Sequence, residues 1–164
     1  MPGWGGPADY NRPLMTSCPF SLQVVRWADA ADRLSAVRMA VFVHEQGVPA
    51  EIEVDELDPL CIHVLAIDAT GVPMGTGRLL PDGHIGRMAV LGPWRRKGVG
   101  AAMLDTLLGI ARERGDREAI LHAQTHACDF YRHAGFEVTS AEFMEAGIVH
   151  VEMRCRLVAP PESR

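Results

Sequence analysis

A basic glycine turn ahead of an apolar helix is the part of this sequence best suited to chemistry. The turn reads Arg95-Arg96-Lys97-Gly98-Val99-Gly100 and is followed by a long run of apolar residues at helical spacing. A helix start presents backbone N–H groups without helical acceptors and a partial positive charge, so it attracts phosphate. Glycines let those N–H groups approach a bulky anion, and the basic side chains add charge at the same place. The turn therefore predicts a site for a phosphorylated ligand.

Two other kinds of phosphate-binding glycine loop fit this turn less well. A P-loop needs its lysine after the last glycine, whereas Lys97 precedes Gly98. A dinucleotide-binding fingerprint needs a third small residue at the position of Met103. A plain strand-to-helix turn, with arginines for solubility, is the structural alternative to any phosphate site.

The spacing of apolar residues predicts the elements that hold this turn. Strands are predicted over 22–27, 62–68, 74–80, 84–90, 119–124, 136–138 and 149–157. Helices are predicted from an Asp29 cap to about residue 43, from the glycine turn to Arg114, and from residue 125 or 126 through 134. An acidic loop over 51–58 follows the first helix, and Gly75 and Gly77 indicate a bulge or a close neighbour. Hairpins followed by helical crossovers predict a mixed α/β (α+β) fold.

Several separated stretches resemble the GNAT superfamily of N-acetyltransferases. The Arg-x-x-Gly-x-Gly spacing at Arg95, Gly98 and Gly100 is similar to its acyl-CoA signature, and residues 127–136 resemble its A-x-x-F-Y-x-x-x-G-F segment. Residues 41–46, the acidic run at 53–58 and residues 145–153 resemble the ElaA/YjcF-like branch. The resemblance covers residues 22–157. It implies a GNAT-like fold, with a central mixed, mostly antiparallel sheet of six to seven strands flanked by about four helices.

The resemblance implies acetyl-CoA as the co-substrate. Its pantetheine arm would pair with the edge of the strand ending at Val90, whose N–H would polarise the thioester carbonyl. Tyr131 would be the general acid, because a phenol and a thiol have ordinary pKa values near ~10 and ~8.5. The structural alternative for Tyr131 is a core aromatic, and Gln124 stands where many family members carry asparagine. The residues assigned to the cofactor are Met88, Ala89, Val90, Arg95, Arg96, Lys97, Gly98, Val99, Gly100, Ala101, Gln124 and Tyr131.

The resemblance also implies direct transfer of the acetyl group to a primary amine of a small molecule. An alkylammonium must lose a proton before it attacks, and Glu45, Glu56 and His150 are the candidate bases. The acceptor pocket is assigned to Glu45, Gln46, Asp55 and Glu56, each of which could instead be solvated or structural. His150 lies on the polar face of the last predicted strand, where the alternative is a solvated or hydrogen-bonded strand residue.

Two other functions compete with catalysis. A non-catalytic module of the same fold would use the same turn to bind acyl-CoA as a sensor. An ATP-binding protein is disfavoured by the order of Lys97 and Gly98. His122 and His126 are predicted to diverge between a strand and a helix start, so no metal site is expected.

Composition sets the outer limits on the protein. The chain has 164 residues, 48% of them hydrophobic and 23% charged, with a net charge of −5, which argues against general nucleic-acid binding. Four scattered cysteines, the lack of a membrane-length apolar run and the lack of a signal-peptide pattern predict a cytoplasmic protein with free thiols and no membrane partner. The resemblance allows a homodimer. The predicted organisation is a flexible tail over 1–20, an acyltransferase domain over 21–158 and a loose tail over 159–164.

Overall fold

An eight-stranded sheet with helices on both faces forms the centre of the computed structural model, which describes residues 19–158. The strands are β1 (Phe20–Val25), β2 (Ile62–Asp68), β3 (Pro73–Leu79), β4 (His84–Val90), β5 (Glu118–Gln124), β6 (Glu137–Val138), β7 (Phe143–Glu145) and β8 (Ile148–Arg156). The helices are α1 (Trp27–Arg38), α2 (Ala50–Glu53), α3 (Val99–Glu113) and α4 (Cys128–His133). A π-helix, Met39–Glu45, continues α1.

The strands lie in the order β1-β2-β3-β4-β5-β8-β6, and β7 also pairs with β8. Every pairing is antiparallel except that of β4 with β5, which is parallel. That parallel ladder consists of His84 opposite Ile120 and Ile85 opposite Leu121. Beyond Ile85 the two strands part, so the second half of β4 borders a gap in the middle of the sheet.

A β-bulge immediately follows the last pair between β4 and β5. Thr76 pairs with Ala89 and Arg78 with Gly86, so Gly77 of β3 opposes two residues of β4. One of the two, Arg87, has a φ of +50°, in the left-handed region. A bulge bends the strand that carries it, and here it bends β4 where β4 leaves β5.

The two faces of the sheet are covered by different helices. On the α3 face, Met103 and Leu107 pack over β2 and β3, and the approach is close at Gly77. A Cβ atom at Gly77 would lie 2.5 Å from Met88 Sδ and 3.2 Å from Leu107 Cδ1, so a larger residue there would force the Met88 side chain to move. On the α1 face, Leu34 of α1 packs against Leu65 of β2. The gap between β4 and β5 therefore has an α3 face and an α1 face.

The predicted fold class and element order are confirmed, with specific corrections. The Asp29 cap is wrong, because α1 begins at Trp27 and Asp29 lies in its first turn. The predicted first helix changes at Met39 from α to π, and β7 was not predicted. The acidic loop contains α2 and a 3-10 turn, Asp58–Leu60. Apart from residues 19 and 20, the predicted tails lie outside the described residues.

Three of the four cysteines lie in the described part of the chain. Cys61, Cys128 and Cys155 are free and buried, as predicted, and Cys18 lies outside that part. No helix within residues 19–158 is both long and apolar enough to cross a membrane.

A buried charge cluster anchors the acidic run to the sheet. It consists of three arginines and three acids: Arg38, Arg78, Arg87, Glu53, Asp55 and Asp58. Arg38 donates hydrogen bonds to Glu53 and, at 2.8 and 3.0 Å, to Asp58. Arg78 donates at 2.8 Å to Asp58 and at 2.8 and 2.9 Å to Asp55. Arg38, Glu53 and Asp58 are at most 1% exposed, so each charge depends on its partners.

The arginines keep the two aspartates ionised. Hydrogen bonds from Arg78 lower the pKa of Asp55 from 3.8 to about 2. Burial raises the pKa of Asp58, but hydrogen bonds from Arg38 and Arg78 outweigh it, so that pKa is also lowered. Removing one partner of a buried ion pair typically costs ~3–5 kcal/mol, because the other charge stays buried without compensation.

We expect Arg38→Ala to lower the free energy of unfolding by about 3–5 kcal/mol, measured by urea denaturation. The matched control is Arg132→Ala, which removes an exposed arginine paired with Asp129 at 2.8 Å and should cost well under ~1 kcal/mol. Equal losses in the two variants would show that the buried cluster does not stabilise the fold.

The same cluster predicts how stability depends on acid. Both aspartates have a lower pKa in the folded chain, so their contribution is complete above the ordinary value of 3.8 and is lost as the pH falls toward 2. The urea midpoint should therefore drop between about pH 4 and pH 2. Asp55→Asn should make that drop shallower, and an unchanged slope would contradict the assignment.

Candidate active site

A cleft of about 510 Å³ runs along the end of β4, the glycine turn and α4. Its lining contains the predicted cofactor residues, except Lys97 and Gln124. Sequence reasoning did not assign Trp94 and Phe130, which also line it. The parting of β4 from β5 opens this space, because it leaves one edge of β4 without a strand partner.

The glycine turn forms an anion site at the start of α3. Gly98 has a φ of +84°, which favours glycine, and it occupies the position just before the first helical residue, Val99. The first helical hydrogen bond runs from Ala102 N–H to Gly98 C=O at 3.0 Å. The N–H groups of Val99, Gly100 and Ala101 therefore precede the helical hydrogen bonds and remain available to an anion.

The three basic side chains of the turn have different partners. Arg95 donates to both carboxylate oxygens of Glu45, at 2.6 and 2.7 Å, and its Nε donates to Val90 C=O at 2.9 Å. The hydrogen bonds from Arg95 to the carboxylate lower the pKa of Glu45. Lys97 Nζ lies 5.5 Å from the centre of the Trp94 ring. Neither Arg96 nor Lys97 forms an ion pair with any other residue in the 19–158 range, so these two supply the uncompensated charge.

The free edge of β4 exposes backbone groups at Val90. Leu91 N–H donates to Met74 C=O of the β3 side at 2.9 Å. Neighbouring residues of a strand direct their backbone groups to opposite sides. The N–H and C=O of Val90 consequently point into the gap. There the C=O accepts the hydrogen bond from Arg95 Nε. The Val90 N–H is placed to donate to a ligand lying along this edge.

Tyr131 lies on the α3 face of the gap, within the apolar cluster of that face. Its ring packs edge-on against Phe130 at 5.0 Å and Phe136 at 5.9 Å. Burial raises the pKa of Tyr131 to about 12. The phenol consequently stays protonated over the ordinary pH range and can act as a proton donor.

The predicted acceptor residues lie around the α1 face but do not form a single group. Gln46, at the end of the π-helix, accepts a hydrogen bond from Gln124 of β5 at 2.8 Å. Glu45 is paired with Arg95, Asp55 belongs to the charge cluster, and Glu56 is exposed. The geometry of Asp55 agrees with the structural interpretation of the acidic run.

Of the two structural alternatives for His150, the side chain is hydrogen-bonded and not solvated, and its predicted place on a polar, exposed face is wrong. His150 is 7% exposed, because Phe143 of β7 stacks on its ring at 6.1 Å. Its Nδ1–H donates to Ile148 C=O at 2.7 Å. The error follows from missing β7, whose pairing with the start of β8 covers that side chain.

Sequence reasoning also missed the contact between His122 and Glu145. This contact lies on the same face of the sheet as His150. The signal for it was Ala146-Gly147, a two-residue turn in which both residues have positive φ, +51° and +78°. Such a turn joins two antiparallel strands, and it places Glu145 of β7 opposite Ile148 of β8. Alanine in place of the usual asparagine or aspartate made this hairpin hard to read from the sequence.

Comparisons with known proteins agree with this geometry. A family model described as an acetyltransferase (GNAT) domain matches residues 30–157. The uncharacterized N-acetyltransferase YjcF of Bacillus subtilis is 42% identical over 121 residues, which cover 71% of this chain and 86% of YjcF.

Solved structures show the same likeness. Escherichia coli ElaA has a TM-score of 0.74 at 25% identity, over 84% of this chain and 99% of ElaA. An acyl-CoA N-acyltransferase from Pseudomonas aeruginosa has a TM-score of 0.74 at 28% identity, over 83% and 99% of the two chains. The chain therefore belongs to the GNAT family of acetyltransferases, in the branch that contains ElaA and YjcF, and is an N-acetyltransferase.

Proposed function

We propose that the protein transfers an acetyl group from acetyl-CoA to a primary amine of a small molecule by direct attack. The observation that carries this proposal is the gap between β4 and β5. It has an anion site and a buried phenol toward the α3 face and opens to a separate polar region on the α1 face. A donor and an acceptor entering from the two faces would meet inside the sheet, which lowers the entropic cost of bringing them together.

The residues of the cleft fit an acyl-CoA. Acyl-CoA supplies an acyl group activated as a thioester. Its diphosphate would bind the N–H groups at the start of α3, beside Arg96 and Lys97, and its pantetheine arm would lie along the free edge of β4. A cleft of about 510 Å³ is of the size expected for a small-molecule site, roughly 300–1,000 Å³. Arg95 would remain paired with Glu45, and its hydrogen bond to the Val90 C=O would stabilise the end of β4.

Two groups act on the charges that develop during transfer. The Val90 N–H, directed into the gap, would stabilise the negative charge on the carbonyl oxygen. Tyr131 would protonate the departing sulfur. A phenol with a pKa of about 12 is a weak acid toward an ordinary thiolate. Burial beside the phenol would raise the pKa of the thiol in the same direction, which narrows the difference between the two pKa values.

The acceptor would enter from the α1 face, past the hydrogen-bonded pair of Gln46 and Gln124. Two amide side chains offer both donors and acceptors of hydrogen bonds, which suits a neutral or cationic amine. Release of free thiol from acetyl-CoA in the presence of a panel of amines tests the proposal directly. A sensor that only binds acyl-CoA would bind it in calorimetry and release no thiol.

We expect Gly98→Asp to abolish binding of acetyl-CoA. A Cβ atom at Gly98 meets nothing within 4 Å, so the new carboxylate would project into open space beside the anion site. Gly98→Asn is the control, because it has the same shape and tolerates positive φ but carries no charge. With wild-type protein, ligand at ~100 times its Kd should raise the free energy of unfolding by about 2.7 kcal/mol. Equal binding by the aspartate variant and the wild type in calorimetry would place the diphosphate elsewhere.

We expect Tyr131→Phe to slow the chemical step and spare binding. The ring keeps its packing and loses one proton donor, so kcat should fall by ~10²–10⁴-fold. The Kd for acetyl-CoA should change little, since one hydrogen bond contributes about 1 kcal/mol net. The fall in kcat should be smaller for acyl donors whose leaving thiol is more acidic, because their thiolate needs less help from a general acid. A wild-type kcat in this variant would contradict the acid role of Tyr131 and would indicate water as the proton donor.

A further inference from the structure

His122 stands at the point where the sheet opens. The last pair between β4 and β5 is Ile85 opposite Leu121, so His122 is the first residue of β5 beyond it. Leu121 and Ala123 belong to the core on the α3 face. Side chains alternate along a strand, so His122 projects from the α1 face, the side opposite Tyr131. Gln124, on the same face, lies about 7 Å farther along the strand.

Glu145 fixes the ring of His122. His122 Nδ1 lies 2.9 Å from Glu145 Oε1. An ionised carboxylate accepts hydrogen bonds and donates none, so the hydrogen is on Nδ1. In the neutral ring, Nε2 then carries a lone pair. The ring packs between His84 of β4, at 6.1 Å, and Phe143 of β7, at 5.1 Å, and 37% of the side chain remains exposed.

The groups around His122 can hold a proton delivered to it. Glu145 contacts His122 through one oxygen, and its other oxygen lies 3.6 Å from Nε2 of His150. Glu152 stands opposite His122 in the ladder of β5 and β8, and His84 faces it from β4. Two carboxylates, Glu145 and Glu152, therefore lie beside the ring.

We propose that His122 is the general base of the reaction and that Glu145 is a positioning residue that orients it. The inference rests on the proposed function. The proton that an alkylammonium must lose moves to His122 Nε2, and the freed lone pair forms the N–C bond. The C–S bond breaks, and the sulfur takes a proton from Tyr131. The attacking nitrogen then carries two protons: one restores the phenol through water, the other stays on the amide product, and His122 releases its proton to solvent. The base and the acid thus act from opposite faces of the sheet.

Kinetics of His122→Gln test the base. With an alkylamine, kcat should fall by ~10²–10⁴-fold. With hydroxylamine, which is already neutral at the assay pH, the loss should be smaller. The Kd for acetyl-CoA, measured by calorimetry, should stay at the wild-type value. His133→Gln is the matched control, because that exposed ring bonds only the backbone of its own helix, at Asp129 C=O. Its kcat should match the wild type.

A second measurement needs neither cofactor nor turnover. Nitrogen-15 NMR of the imidazole should show the Nδ1–H tautomer for His122 in the wild-type protein. Glu145→Ala removes the acceptor that fixes this tautomer, so the signal should move toward the Nε2–H form. The same variant should lower kcat for the alkylamine and leave the Kd for acetyl-CoA unchanged. A wild-type Nε2–H tautomer would overturn the positioning role.

The outcomes separate this inference from the proposed function. An active wild type whose His122→Gln variant keeps its kcat overturns the inference and leaves the function standing. The same holds if His150→Gln loses activity with the alkylamine while His122→Gln does not. A wild type that binds acetyl-CoA and releases no thiol with any amine overturns both. Loss of kcat in His122→Gln with unchanged acetyl-CoA binding, and with the control active, supports the assignment.

Discussion

The bulge in β4 is the constraint on which the site depends. It comes directly after the two pairs that join β4 to β5, and it bends β4 away from its neighbour. Without it the parallel ladder would continue and close the sheet. With it, the Val90 N–H faces a gap instead of a strand partner, and both faces of the sheet reach the same point. The glycine turn, Tyr131 and the polar side chains of the α1 face all lie around this gap for this reason.

The charge cluster holds the bulge in place. Arg87, the residue with positive φ, donates to Glu53 C=O at 3.1 Å and to Ile52 C=O at 3.2 Å. Its guanidinium also lies 3.4 Å from Asp55. The segment that was expected to bind an amine thus supports the backbone of β4 from the α1 face. Glu53, Asp55 and Asp58 of the acidic run thus have a structural role, because each is paired with an arginine of the cluster.

Local patterns predicted the fold and most of the residues that line the cleft. The glycine turn, the wide apolar stripe of α3 and the period-two strands each depend on residues close together in the chain, so the sequence displays them. Contacts between distant residues were not predictable in this way. Arg95 meets Glu45 from 50 residues away, and Gln124 meets Gln46 from 78 residues away. The three-residue strand β7 is too short for periodicity to reveal, and missing it concealed the surroundings of His150 and Glu145.

The equal numbers of arginines and acids in the charge cluster have a consequence at long range. The cluster is neutral as a whole, so the chain's net charge of −5 is carried entirely by residues outside it. Paired charges produce a field that decays faster with distance than that of an isolated charge, and salt screens what remains over about 10 Å. The six residues of the cluster therefore contribute little to the field that a charged ligand meets in solution. Any dependence of ligand encounter on ionic strength would come from charges outside the cluster, such as the exposed carboxylates of Glu51 and Glu56.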